Sequence, residues 1–143
     1  MKTDLSIRPS ESPYITAAET RALLADSQQA RRDRLAADDL VSTDGAALLA
    51  GASRVTINAW IDKGLCIGLT QTKRGFRVPG WQFEPRMWSV VQKLGAALGT
   101  KDGWQMLAFL ESPHGALDGV TPRAAIEQGR AERVLAIAEH EGN

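Results

Sequence analysis

The sequence predicts a mainly α-helical protein that contains a helix–turn–helix, a small β-hairpin and a helical C-terminal domain. Three observations lead to this prediction. Residues 41–64 combine helix caps and glycines at the spacing of two short helices joined by a tight turn. Apolar residues alternate on both sides of a basic turn over 65–78. From residue 85 onwards, apolar residues recur at helical spacing.

Composition favours a folded protein, with 43% hydrophobic and 24% charged residues. No apolar run approaches the roughly 20 residues that a membrane-spanning helix needs, and the first residues lack the layout of a signal peptide. Cys66 is the single cysteine, so it can form neither an internal disulfide nor a metal cluster. We therefore expect a cytoplasmic protein without a metal or a cofactor.

Charge is distributed unevenly, although the formal net charge is zero. Residues 42–83 contain five basic and two acidic residues, whereas residues 111–143 contain three basic and six acidic ones. A basic middle and an acidic end indicate two surfaces with different partners.

Three regions are predicted along the chain. Residues 1–15 are polar and are expected to be disordered or loosely attached. Residues 16–83 are predicted to form a domain with the helix–turn–helix and the hairpin, and residues 84–143 a helical domain. The first region ends where Thr16 and Glu19 have capping-box spacing, which predicts a helix to about residue 36. Its apolar face is thin, so it either packs lightly on the helix–turn–helix or serves as a dimerisation arm.

The helix–turn–helix prediction rests on caps and on the turn. Ser42, or the threonine after it, can cap a first helix, and Ser53 can cap the second. Gly51 supplies the turn, and Gly64 lies where the second helix needs a left-handed residue at its end.

The spacing of apolar residues extends this pattern. Ala47 is predicted at the close crossing of the two helices, and Ile57 and Trp60 on the buried face of the second. The polar residues of the second helix fall mostly elsewhere, as a reader of the DNA major groove requires. The alternative is an ordinary pair of antiparallel helices. The predicted DNA-binding residues are Ser53, Arg54, Thr56, Asn58, Lys63, Lys73, Arg74 and Arg77.

A β-hairpin is predicted directly after the second helix. Residues 65–69 alternate in polarity, as do Phe76 and Val78, and a glycine-containing turn lies at 72–75. A hairpin in this place is typical of a wing, whose basic tip would contact phosphates. The alternative is a solvated surface turn.

Two longer helices are predicted beyond the hairpin. Pro85 can open a helix that runs to about residue 98. Thr100 can cap the next helix, which contains Trp104. The four tryptophans are predicted to lie in the core and at domain junctions.

The end of the chain carries an ordered set of motifs: Trp104, Leu107 and Phe109-Leu110, then Leu117-Asp118-Gly119-x-Thr121-Pro122, then Gly129-x-x-Glu132-x-Val134 and Ala138. This order resembles the toxin-binding domain of the Xre/MbcA/ParS-type antitoxin family. In that family a loop of the form L-x-G-x-x-P precedes a short helix, a glycine and a helix that begins around E-x-V. The R-x-P-x-W-Q-F stretch at 77–83 is similar to family members with an N-terminal DNA-binding domain. From the residues alone, Leu117 is predicted to fill the core.

The resemblance implies an antitoxin of a type II toxin–antitoxin system. Its partner would be a toxin, of the RES-domain type that acts on NAD, and its operator would be bound by the helix–turn–helix. Residues 117–143 are then the predicted toxin-binding surface, with 139–143 reaching the mouth of the toxin's active site. The predicted toxin-binding residues are Leu117, Asp118, Gly119, Arg130, Arg133, Glu139, His140, Glu141, Gly142 and Asn143. The DNA-binding half looks more like a winged, MerR-like arrangement than an all-helical one.

Enzymatic chemistry is not predicted, because the sequence has no P-loop, G-x-G-x-x-G, H-E-x-x-H or Cys/His cluster. The alternative to an antitoxin is a stand-alone dimeric transcriptional regulator, whose C-terminal helices serve for dimerisation or ligand sensing. Both functions predict at least a homodimer, since one helix–turn–helix reads only a half-site.

Overall fold

A computed structural model describes residues 27–70 and 75–143. Within these ranges the chain is mainly helical and has one small antiparallel sheet of two strands, in agreement with the predicted class. The chain divides into two units, Met1–Ala36 and Ala37–Asn143. In the first unit residues 27–35 are helical (α1). The predicted loose segment 1–15 and the predicted start of this helix lie outside the described residues.

The second unit holds the other elements in the order β1 (Leu40–Ser42), α2 (Thr43–Ala50), α3 (Arg54–Asp62), β2 (Arg77–Pro79), α4 (Pro85–Leu98), α5 (Gly103–Glu111), α6 (Pro122–Glu127) and α7 (Ala131–Gly142). Short 3-10 helices cover Gly80–Phe83 and Gly115–Leu117. Among the described residues, no helix is long and apolar enough to cross a membrane.

The caps around α2 and α3 are those that the sequence predicts. Ser42 Oγ accepts a hydrogen bond from Gly45 N at 3.0 Å. Ser53 Oγ accepts one from Thr56 N at 3.1 Å. Gly51 has φ 65° and Gly64 has φ 76°, so both occupy the left-handed region. Local side-chain chemistry therefore sets where both helices begin and end.

The crossing of α2 and α3 differs from the prediction by one residue. Ala46, fully buried, takes the place expected for Ala47, which is only half-buried. Ile57 is fully buried, as predicted, whereas Trp60 is half-buried, with its ring 5.3 Å from that of Trp88. The tight contact thus falls one residue earlier on α2, and Trp60 covers the edge of this core.

The sheet also differs from the predicted hairpin. β2 pairs with β1, in the register Leu40↔Pro79 and Val41↔Val78. The expected partner segment makes only an isolated bridge, in which Leu69 and Arg77 exchange backbone hydrogen bonds of 2.8 and 2.9 Å.

Residues 66–69 are all buried, so the alternation seen in the sequence does not mark one exposed and one buried face. The segment is enclosed on more than one side and forms no strand there. The tip at 71–74, with Lys73 and Arg74, lies outside the described residues, and the wing stays a prediction.

Gln82 holds the enclosed segment in place. Its side chain is fully buried, and its Oε1 accepts a hydrogen bond from Ile67 N at 2.8 Å. Its Nε2 donates to Ile67 O at 2.9 Å and to Pro79 O at 3.0 Å. A buried glutamine with these partners fixes the chain between α3 and β2.

The N-cap of α5 is Asp102 and not Thr100, the cap that the sequence predicts. Asp102 Oδ1 accepts from Trp104 N at 2.9 Å, and α5 begins at Gly103. Thr100 instead accepts a hydrogen bond from Asp102 N at 3.0 Å. The carboxylate two residues further on is therefore the cap, and the threonine orders the loop before it.

α4 begins at Pro85 as predicted and packs on α6 and α7. It also contacts the 3-10 helix Gly80–Phe83. The Arg123 guanidinium lies 3.9 Å over the Trp81 ring, whose Nε1 donates to Asp39 at 2.8 Å. Residues on both sides of position 83, where the sequence predicts a domain boundary, therefore belong to one compact unit.

Candidate functional site

The exposed face of α3 carries several residues predicted to bind DNA. Arg54 and Asn58, at i and i+4, are both exposed, and Lys63 is exposed directly after the helix. Ser53 and Arg77 are exposed as well. Within the described part of the predicted DNA-binding set, these five residues are therefore exposed, and Thr56 is half-buried.

The side chains of Ser53 and Thr56 cap the start of α3. Ser53 Oγ and Thr56 Oγ1 are 2.9 Å apart, and Ser53 also accepts from the Thr56 backbone. These hydroxyls stabilise the first turn of α3. If they also contacted DNA, the same oxygen atoms would serve both the helix cap and the DNA contact.

Arg54 and Arg77, the two described arginines of the predicted DNA-binding set, both have partners within the protein. Arg54 faces Asp44 at 4.0 Å, and both side chains are mostly exposed. Arg77 donates to Leu40 O at 3.3 Å. An exposed pair of this kind contributes at most about 1 kcal/mol, so Arg54 can exchange Asp44 for a phosphate or a base.

If α3 binds DNA as predicted, we expect Asp44→Asn to strengthen that binding about threefold, because it frees Arg54 and removes a negative charge beside it. Titration of a labelled duplex at low salt measures the change. The gain should shrink as salt screens the charges. The same substitution combined with Arg54→Ala provides the control and should lose most of the gain. Equal affinity for Asp44→Asn and the unmodified chain would contradict this role of Asp44.

The loop before α6 uses the motif residues for chain geometry. Asp118 has φ 57° and Gly119 has φ 82°, so both lie in the left-handed region. Thr121 Oγ1 accepts from Ala124 N at 3.1 Å, and Pro122 is the first residue of α6. Leu117 is fully buried, which confirms it as a core residue. It therefore cannot contact a toxin directly from this position, unlike its exposed neighbours in the loop.

The outer side of α7 carries exposed acidic residues, of which Glu139 belongs to the predicted toxin-binding set. Glu132 and Glu139, at i and i+7, are exposed with Ala136 between them. We call these three residues the acidic face of α7. Exposed neighbours beside it include Arg133 and His140. Arg130, just before the helix, is half-buried, and its Nη2 donates to Gln128 Oε1 at 2.8 Å.

Glu141 is tied to the loop that precedes α6. His114 Nδ1 accepts a hydrogen bond from Ala116 N at 3.1 Å, so the ring proton of the neutral imidazole is on Nε2. Nε2 lies 2.5 Å from Glu141 Oε2. This contact joins two motif-bearing segments, and the sequence offered no signal for it because the residues are far apart in the chain.

Gly142 is packed against the end of α4. A Cβ at this position would overlap Ala97 O and lie 3.1 Å from Leu98 Cα. The small residue is therefore needed for close helix packing, and α7 continues to Gly142. Insertion of 139–143 into a toxin stays a prediction. The packing of α7 on α4 by itself explains why a glycine is found at position 142.

In residues 27–70 and 75–143, no group of three or more His, Cys, Asp or Glu residues could hold a metal ion. Cys66 is buried, and burial raises the pKa of its thiol to about 12. At neutral pH the thiol is protonated, so it is a poor nucleophile.

No family model and no curated protein sequence matches the chain. One solved structure is similar to it: the toxin–antitoxin complex MbcT–MbcA of M. tuberculosis, at 18% identity, covering 84% of this chain and 94% of that chain, with a TM-score of 0.35. At that TM-score the two backbones diverge too far for fold or partner to be carried from one to the other.

Proposed function

We propose that this protein is an antitoxin of a type II toxin–antitoxin system, a binding protein and not an enzyme. Its C-terminal region binds and blocks a RES-type toxin, and α3 binds operator DNA to repress the operon. One observation carries the proposal. The residues that resemble the antitoxin family's toxin-binding domain fall where this fold needs them: Leu117 in the core, Gly119 at a positive φ and Pro122 at the start of α6.

The charge of the C-terminal surface suits such a partner. The acidic face of α7 is exposed, and Asp118 and Glu127 are exposed on the loop and on α6. A toxin cleft that holds an anionic dinucleotide carries basic residues, and opposite charges guide association and favour the correct partner.

The DNA-binding half of the proposal rests on α2 and α3. They are joined by a left-handed glycine, cross over a fully buried alanine and leave Arg54 and Asn58 exposed. A helix with exposed polar and basic residues near its start fits the major groove.

Co-purification tests the proposed function. The tagged chain is expressed from its native locus together with the neighbouring reading frame. A toxin should co-purify at fixed stoichiometry, and expression of that reading frame alone should arrest growth. Recovery of the chain without a partner, together with harmless expression of the neighbour, would contradict an antitoxin. It would leave the stand-alone regulator, which shares the DNA surface but needs no toxin.

We expect the protein to form at least a homodimer in solution. Two-fold symmetric operators need two recognition helices, and Leu48 and Leu49 on α2 are 85% and 56% exposed, which offers apolar surface for association. Analytical ultracentrifugation at micromolar concentration measures the assembly. A clean monomer under these conditions would contradict the expectation, whereas Leu48→Asp should weaken a dimer that uses this surface.

A further inference from the structure

The exposed face of α3 has an apolar residue at its centre. Successive residues of a helix are rotated by about 100°, so the buried Ile57 and Ile61 define one side of α3. Val55 lies close to the opposite side and is 78% exposed. Arg54 precedes it, and Asn58 lies one turn further along the same face.

The position of Val55 has no explanation in the packing or stability of α3. β-Branched residues are weaker helix formers than alanine because the preceding turn restricts their side chains. Single exposed apolar residues are common on protein surfaces, but this one directly follows Arg54 in the chain and lies one turn before Asn58, the two residues here suited to reading base edges.

We propose that Val55 contacts the C5 methyl group of a thymine in the DNA major groove; this inference rests on the DNA binding proposed above. The thymine methyl is the one apolar group that base edges present in that groove, and it matches an exposed aliphatic side chain. Arg54 and Asn58 then reach hydrogen-bonding groups of neighbouring base pairs. Val55 thereby specifies thymine at one position of each half-site.

Charges around this face are compatible with DNA. Arg54 is exposed at the start of α3, Lys63 is exposed directly after it, and Arg77 is exposed on β2. Two carboxylates also belong to the region. Asp44 is paired with Arg54, and Asp62 ends α3 about 10 Å further along the helix axis than Val55.

Uracil substitution tests the contact. The probe is the duplex that the unmodified protein enriches from a random-sequence library. Each thymine is replaced in turn by deoxyuridine, which removes only the methyl group. At one position of each half-site the unmodified protein should lose about fourfold in affinity, the worth of one methyl burial. Val55→Ala should bind the thymine duplex with a similar loss and should show no further loss with deoxyuridine there.

Gln92→Ala is the control, because Gln92 is an exposed residue on α4, outside the proposed DNA-binding and dimerisation surfaces. It should keep the full loss on deoxyuridine substitution. If Val55→Ala binds the duplex but keeps the deoxyuridine loss, or if no thymine position responds, the Val55 contact is overturned while DNA binding stands. If no duplex is enriched at all, the proposed DNA binding fails, and this inference fails with it.

Discussion

Replacing Gly103 with alanine is expected to lower the free energy of unfolding by about 3 kcal/mol. A Cβ at this position would overlap Gly68 O and lie 3.1 Å from Gly68 N and C. These are backbone atoms, so no side-chain rotation can make room. The start of α5 would have to move away from the buried segment 66–69. Urea denaturation followed by tryptophan fluorescence measures the loss.

Gly115→Ala is the control for this prediction. A Cβ at Gly115 would meet nothing within 4 Å, so the substitution should change the free energy of unfolding by less than about 0.5 kcal/mol. If Gly103→Ala is as mild as Gly115→Ala, the close approach of the chain at Gly68 does not exist in solution.

Gln82→Ala is expected to lower the free energy of unfolding by about 4 kcal/mol. It leaves a buried cavity and removes the partners of Ile67 N, Ile67 O and Pro79 O. Each unpaired buried backbone group costs roughly 1–3 kcal/mol, and water entering the cavity restores part of this. The same urea titration gives the value.

Gln92→Ala, an exposed glutamine on α4, provides the comparison for Gln82. It should stay within about 0.5 kcal/mol of the unmodified chain. A small effect at Gln82 as well would show that the segment between α3 and β2 is held by apolar packing alone. DNA binding should weaken with Gln82→Ala at temperatures where the variant is partly unfolded, because this segment directly follows α3.

Local chemistry explains what the sequence could predict. Ser42, Ser53 and Thr121 each accept a backbone hydrogen bond from three residues ahead, which a reader of sequence spacing can anticipate. Gly51 and Gly64 mark helix ends because both adopt the left-handed backbone conformation with which helices commonly end.

Long-range pairing explains what the sequence could not predict. β1 and β2 have three residues each, too short for a clear alternating pattern, and they come from distant parts of the chain. Gln82 is polar and looks like a surface residue until its three buried partners are known. The burial of 66–69 depends on neighbours that periodicity does not reveal.

The candidate binding surfaces also combine features that the local sequence predicts with features that depend on contacts between separate elements. Exposure of Asn58 is compatible with helix periodicity once Ile57 is placed in the core, whereas Arg54 lies three residues before Ile57 and only the structure shows it to be exposed. The pairing of Arg54 with Asp44 and of His114 with Glu141 depends on how separate elements meet. Such contacts carry no local sequence signal, so only the structure shows which predicted site residues already have partners.

Growth rescue is the most direct test of the antitoxin proposal. Cells expressing the neighbouring reading frame of the native locus should recover when the unmodified chain is supplied. Glu132→Lys/Glu139→Lys reverses the acidic face of α7 at two exposed residues and should lose most of the rescue while keeping a normal unfolding transition.

The control Asp38→Lys/Asp62→Lys makes the same change in net charge at exposed residues outside α7 and should rescue fully. Undiminished rescue by the α7 variant would contradict the placement of the toxin on this face. No rescue by the unmodified chain, at levels where it is folded and abundant, would contradict the antitoxin function itself.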